Sequence, residues 1–155
     1  MADPKEWGPI LWKIVHTTCE HLGKSTNLVL QGDEIRYFKA FQRKLYYILP
    51  CKVCRLHYKS YMTLNIKDVP YENLKDYARN YYFDLHNKVN ASNAKELFDK
   101  ADLEKNYSIS KDEYNRNIIE LNKLYNKYTN LQHVSFEEIK DFNRILTMLR
   151  KFTGF

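Results

Sequence analysis

Apolar residues recur at three- and four-residue steps along most of this 155-residue chain. Ile35, Phe38, Phe41, Leu45 and Ile48 form the clearest run, and Ile139, Phe142, Leu146 and Leu149 repeat it near the C-terminus. That spacing lines one face of an α-helix and no face of a strand. Gly and Pro, four of each, are too few for a turn-rich β-sandwich or barrel. Hydrophobic residues make up 44% of the chain, which argues against disorder, and the length suffices to bury a core without disulfide staples. The sequence therefore predicts an all-α protein.

Punctuation residues divide the pattern into elements. Residues 8–22 read as a first helix, with Pro9 in its first turn and Gly23 as its stop. Asp33 is the expected cap of a second helix running to about Leu49. Pro50 breaks that pattern, and a third helix starts at the cysteines of "ILPCKVCRLHY" (48–58). A fourth covers "DVPYENLKDYARNYYFDLHNKVN" (68–90), with Leu74, Tyr77, Tyr81 and Leu85 stepping along one face. Beyond Ala91 the chain turns more polar. Ser110 with Glu113 and Ser135 with Glu138 nevertheless have the shape of capping boxes, each ahead of an apolar stripe. Two amphipathic helices are expected there, and no repeat or low-complexity linker is visible.

The formal net charge of +6 favours anionic partners, but the Lys and Arg residues are spread without a block, so nucleic acid is a minor option. Three cysteines, Cys19, Cys51 and Cys54, are too few for a secreted disulfide scaffold. The start "MADPKEWGP" lacks the basic and apolar regions of a signal peptide, and no stretch is long enough to span a membrane. These features predict an intracellular protein without membrane attachment.

Cys51 and Cys54 stand where a helix begins, so the positive end of the helix dipole favours a thiolate and a neighbouring thiol lies within reach of a small disulfide. Cys51, Cys54 and His57 could alternatively supply three ligands of a tetrahedral zinc in a small basic module for nucleic acid or protein. No second Cys-x-x-Cys and no paired histidines supply the rest of such a site. Spacing alone leaves redox disulfide, zinc ligands and inert thiols open.

Three elements in one order narrow the choice. "WGPILWKIVH" holds Gly8, Trp12 and His16 at four-residue steps; "LPCKVC" holds the cysteine pair; "HNKVN" holds His86, Asn87 and Asn90. Together they resemble the FAD-linked sulfhydryl (thiol) oxidases related to augmenter of liver regeneration, over roughly residues 7–95. Trp12 offers a flat face to an aromatic ring system, although a core Trp is the ordinary use. His16 lies one turn further on the same face. His86, Asn87 and Asn90 gather donors and acceptors within about one turn, although Asn is also a common helix end.

The resemblance implies a four-helix bundle with an additional short helix, often a homodimer, holding FAD. It implies Cys51 and Cys54 as the catalytic pair, with Cys51 facing the partner and Cys54 the flavin. Gly8, Trp12, His16, His86, Asn87 and Asn90 would contact the cofactor, and His57 would pack near it. The reaction implied takes electrons from a reduced thiol protein, a thioredoxin-like relay or a virion protein, and passes them through flavin to molecular oxygen, giving hydrogen peroxide. Residues 1–95 would form the FAD-binding bundle, and 96–155 a helical extension packed on it or at a dimer interface.

The chain departs from cellular members of that family. With Cys19 the only cysteine outside the pair, neither a shuttle pair nor a further structural disulfide exists within the chain. Pro9 stands where cellular members commonly carry Arg. The short start and single cysteine pair are most similar to versions encoded by large cytoplasmic DNA viruses. That resemblance implies action in the cytoplasm of an infected cell and in the virion. Cys19 is expected to be a buried free thiol.

Overall fold

The computed structural model describes residues 2–155, and it is all-helical, without a strand among those residues. Seven α-helices follow one another: α1 (Pro4–Glu20), α2 (Leu28–Ile48), α3 (Lys52–Asn65), α4 (Leu74–Ser92), α5 (Asp102–Tyr107), α6 (Lys111–Asn130) and α7 (Phe136–Thr153). A single 3₁₀ turn, Tyr71–Asn73, leads into α4.

Two helices begin earlier than their apolar stripes suggest. α1 starts at Pro4, because Asp3 caps it by accepting from the Lys5 N–H at 2.9 Å and Pro4 is preset for a first helical position. Pro9 therefore lies inside the helix, where it leaves the Lys5 carbonyl without its helical donor. Both residues are exposed, so water can serve that carbonyl. α2 is capped by Asn27, which accepts from the Val29 and Leu30 N–H groups at 2.8 and 3.3 Å. Asp33 instead pairs with Arg36 one turn on, at 2.8 Å. The extra turn carries Leu28 and Val29 out into solvent, off the buried stripe.

Gly23 does serve a turn: it adopts φ +84 in the α1–α2 connection. Its N–H donates to the buried Glu34 carboxylate at 2.7 Å, which also accepts from Ser25 Oγ and the Tyr71 hydroxyl. Ser110 caps α6 through the Glu113 N–H at 3.1 Å. Ser135 occupies the cap position of α7 but makes no side-chain cap bond. α5 lies in the polar stretch after Ala91 and has no apolar repeat of its own; Leu103 is its one buried residue.

α1 and α2 form the centre of the arrangement. α1 packs against α4, α5 and α6, while α2 packs against α3 and, most extensively, α7. One apolar core runs through α1, α2, α3, α4, α6 and α7. Phe38 and Phe41 of α2 meet Tyr82 of α4 edge-on, and Phe41 stacks on Phe142 of α7 with ring centroids 5.7 Å apart. Thr18 of α1 and Tyr114 of α6 share a buried hydrogen bond of 2.7 Å. Lys44 of α2 bridges Glu138 and Asp141 of α7. The last two helices thus cover the flanks of the first two, which leaves the α1–α4 side and the N-terminus of α3 to carry the site.

Candidate functional site: a dithiol and an aromatic stack

Pro50 ends the run of α2, and Cys51 takes the cap position of α3 in extended backbone, φ −134 and ψ 120. Its Sγ accepts from the Cys54 N–H at 3.3 Å. A sulfur here occupies the place usually held by a Ser or Asp oxygen, where backbone N–H groups and the helix dipole favour negative charge. Burial, followed by the hydrogen bond and charge of Cys51, pushes the Cys54 thiol up to about 12. Cys54 therefore keeps its proton at neutral pH when the pair is reduced.

Exposure runs against the partner-facing role expected of Cys51. Cys51 is buried at 6% exposure, while Cys54 is half-buried. Two things set this difference: a capping side chain folds back over the first turn, whereas Cys54 sits on the turn itself, and Cys51 joins the apolar core of the bundle. Cys19 is a fully buried thiol whose ionisation is pushed well up, first by burial and then by the Glu20 charge.

The second half of the site joins α1 to α4. Trp12 stacks flat on His86, with centroids 3.9 Å apart and planes 5° from parallel. His16 lies on the same side of α1, and its Nε2 is 2.9 Å from Nδ1 of His86. Burial, then the His86 charge, lowers the His16 ring to about 3; burial, then Lys95, lowers His86 to about 4. Both imidazoles are neutral at pH 7, so each offers one donor and one acceptor. The sequence spacing placed Trp12 and His16 on one face; the fold supplies His86 as their partner from 70 residues away.

Asn87 and Asn90 lie beside this stack but face other work. Asn87 holds the backbone of Phe98 at both ends, its Nδ2 donating to the Phe98 carbonyl at 3.0 Å and its Oδ1 accepting the Phe98 N–H at 3.2 Å. Asn90 contributes its carbonyl, which accepts from Lys95 N–H at 2.8 Å as the chain leaves α4. Phe98 is thereby set edge-on against His86 and His16, and Tyr107 of α5 packs on His16 at 4.4 Å. Neither aromatic was among the sequence candidates. Their one signal is that they are aromatic side chains within an otherwise polar stretch.

His57 is exposed on α3, three residues beyond Cys54, and forms no hydrogen bond or ring contact with the other candidates. Nor do Cys51, Cys54 and His57 converge as a ligand set; among the described residues no three His, Cys, Asp or Glu side chains do. No hydrogen bond or ring contact links the cysteine pair to the Trp12 stack.

The residues on α1 and α4 fit an aromatic cofactor. Trp12 and the neutral imidazoles supply flat faces and ring-edge hydrogen bonding. A Cβ built at Gly8 meets nothing within 4 Å, so no other part of this chain demands a glycine there. An open groove of about 380 Å³ adjoins Asn87, lined also by Lys88, Tyr61 and Leu97. Lys88 lines that groove and the Lys95 charge acts on His86, a positive setting that would suit a pyrophosphate.

Residues 9–108 match the model of the Erv1 / Alr family, from α1 through the end of α5. No curated protein and no solved structure matches the chain. The matched stretch covers well over half of the sequence and contains the dithiol, Trp12, His16 and the His86–Asn90 segment; the chain belongs to the Erv1 / Alr family, the FAD-linked sulfhydryl oxidases.

Proposed function

We propose that this chain is an FAD-dependent thiol oxidase that forms disulfide bonds in partner proteins, of the kind encoded by large cytoplasmic DNA viruses. The observation that carries the reading is the Cys51–Cys54 pair at the start of α3, lying inside the family-matched stretch. Gly8, Trp12, His16, His86, Asn87 and Asn90 are the residues that would hold FAD. When bound there, FAD would supply the redox chemistry, as acceptor of the dithiol's electron pair and its donor to oxygen, with hydrogen peroxide as the product.

The protein's own part is thiol–disulfide exchange. A thiolate of the substrate attacks one sulfur of the Cys51–Cys54 disulfide, forming a mixed disulfide and releasing the other sulfur. The second substrate thiol resolves it, so one disulfide leaves on the substrate while Cys51 and Cys54 gain two electrons and two protons. Cys54 holds its proton firmly, because its burial disfavours the thiolate. With no shuttle pair in the chain, the substrate must reach this dithiol directly or through another protein. The substrate is a reduced thiol protein, a thioredoxin-like relay or a virion protein, met in the host cytoplasm or the virion by a homodimer.

The order of attack has two versions. Attack at Cys51 follows the family resemblance; attack at Cys54 is favoured by its greater exposure in the dithiol. Cys54→Ser and Cys51→Ser separate them, since only the variant that keeps the attacked sulfur traps a stable mixed disulfide with substrate. The function itself is tested by the visible spectrum and by oxygen uptake. Purified protein is expected to be yellow and to consume oxygen with dithiothreitol. A colourless protein that takes up no FAD would overturn the proposal.

A further inference from the structure

α3 carries three cations and no acid. Lys52, Arg55 and Lys59 recur at three- and four-residue steps, which sets them along one line of the helix. None of the three forms an ion pair with a described residue, although nine ion pairs tie up cations elsewhere. Beside this line runs a second, of Val53, Leu56 and Leu64, exposed by 55%, 63% and 84%. The buried side of α3 is made instead by Tyr58 and Tyr61. An apolar stripe edged by unpaired positive charge therefore starts at the two reactive cysteines and continues along the outside of the helix.

We infer that this face of α3 docks the substrate polypeptide, and that it selects a cysteine-bearing segment with acidic residues next to an apolar one. The inference rests on the thiol oxidase reading and narrows its substrate class. Charge complementarity chooses the occupant. A second copy of the chain meeting this face symmetrically would set the same three cations against each other. A nucleic acid would satisfy the cations but leave Val53, Leu56 and Leu64 unmatched. An acidic peptide with one apolar side chain satisfies both lines, and binding there brings its cysteine to the first turn of α3.

The test uses the full-length, FAD-loaded protein and two fluorescent peptides of equal length. Both contain Leu and carry Ser in place of Cys; one has Asp and Glu flanks, the other Lys flanks. Fluorescence anisotropy should give about tenfold tighter binding of the acidic peptide at low salt, equivalent to roughly 1.4 kcal/mol. The advantage should collapse toward 1 M salt, where the screening length falls to about 3 Å. Lys52→Glu/Lys59→Glu should invert the preference, and the milder Lys52→Gln/Lys59→Gln should abolish it. Arg116→Glu/Lys140→Glu makes the same change in net charge on α6 and α7 and should leave the preference intact. Leu56→Ser should weaken the acidic peptide alone.

Equal binding of the two peptides would overturn the inference. So would equal losses in the α3 and the α6/α7 variants, which would assign the effect to bulk charge. A single-stranded oligonucleotide that binds α3 more tightly than the acidic peptide would also overturn it. Oxygen uptake with dithiothreitol is measured alongside: its absence would sink the oxidase reading, while the peptide ranking stands or falls by itself.

Discussion

Gly8 is the residue whose chemistry is least explained by the chain's own packing. Glycine inside a helix costs about 1 kcal/mol relative to alanine, and open space surrounds this one. Gly8→Ala should therefore raise the stability of the flavin-free chain by up to about 1 kcal/mol in denaturant titration. The same substitution should weaken FAD retention on dilution; unchanged retention would remove Gly8 from the cofactor's surroundings. The two stacked histidines set an acid limit. Their folded values, about 3 for His16 and about 4 for His86, lie below the roughly 6.5 of an unfolded histidine. Unfolding then takes up protons below that value, so stability is full above about pH 6.5 and declines as pH falls toward 4. His21, depressed to about 4, adds to the same decline. His86→Phe keeps a ring beside Trp12 without the titrating group, and its stability should fall less steeply than wild type between pH 7 and 4.5.

Between residues and fold stand the segments that carry them. The stretch from Asn93 to Ala101 has no regular structure, and Asn87 grips it at Phe98 from α4. Asn87→Ala removes both bonds, leaving the Phe98 amide and carbonyl to water. Hydrogen exchange should speed up across residues 93–101 and leave α2 and α7 unchanged; protection that persists around Phe98 would show that ring packing holds the segment without Asn87. At the N-terminus of α2, Asn27→Ala should cost about 1 kcal/mol, the usual worth of such a cap. An Asp33→Ala substitution should cost less, since Asp33 makes only a surface pair with Arg36.

For the whole molecule, the C-terminal helices are part of the core that supports the site. Phe142 is 1% exposed and stacks on Phe41, which in turn meets Tyr82 of α4. Phe142→Ala should destabilise the protein by about 3–5 kcal/mol and lower the thermal midpoint of the entire molecule in one transition. A local change confined to α7, with the His16–His86 region melting separately, would contradict a shared core. The charge pattern also has meaning only at this scale: α1, α2, α4, α6 and α7 each have at least one cation that finds an acid across or along helices, whereas the three of α3 find none.

Local chemistry explains what was legible in the chain. Helical periodicity is a nearest-turn property, so the all-α class, the start of α3 at the cysteines, the paired placement of Trp12 and His16, and the Ser110 cap could be read directly. Asn27 and Asp3 escaped because each caps a turn whose first residues lie off the buried stripe, where apolar spacing carries no signal. The meeting of His16 with His86, the seat of Phe98 on both, and the coverage of α2 by α7 depend on which faces are buried against one another. That choice is made by long-range packing, and no local pattern encodes it. The relative exposure of Cys51 and Cys54 belongs with these: sequence determined that the pair opens a helix, while the cap geometry and the neighbouring bundle decided which sulfur lies buried.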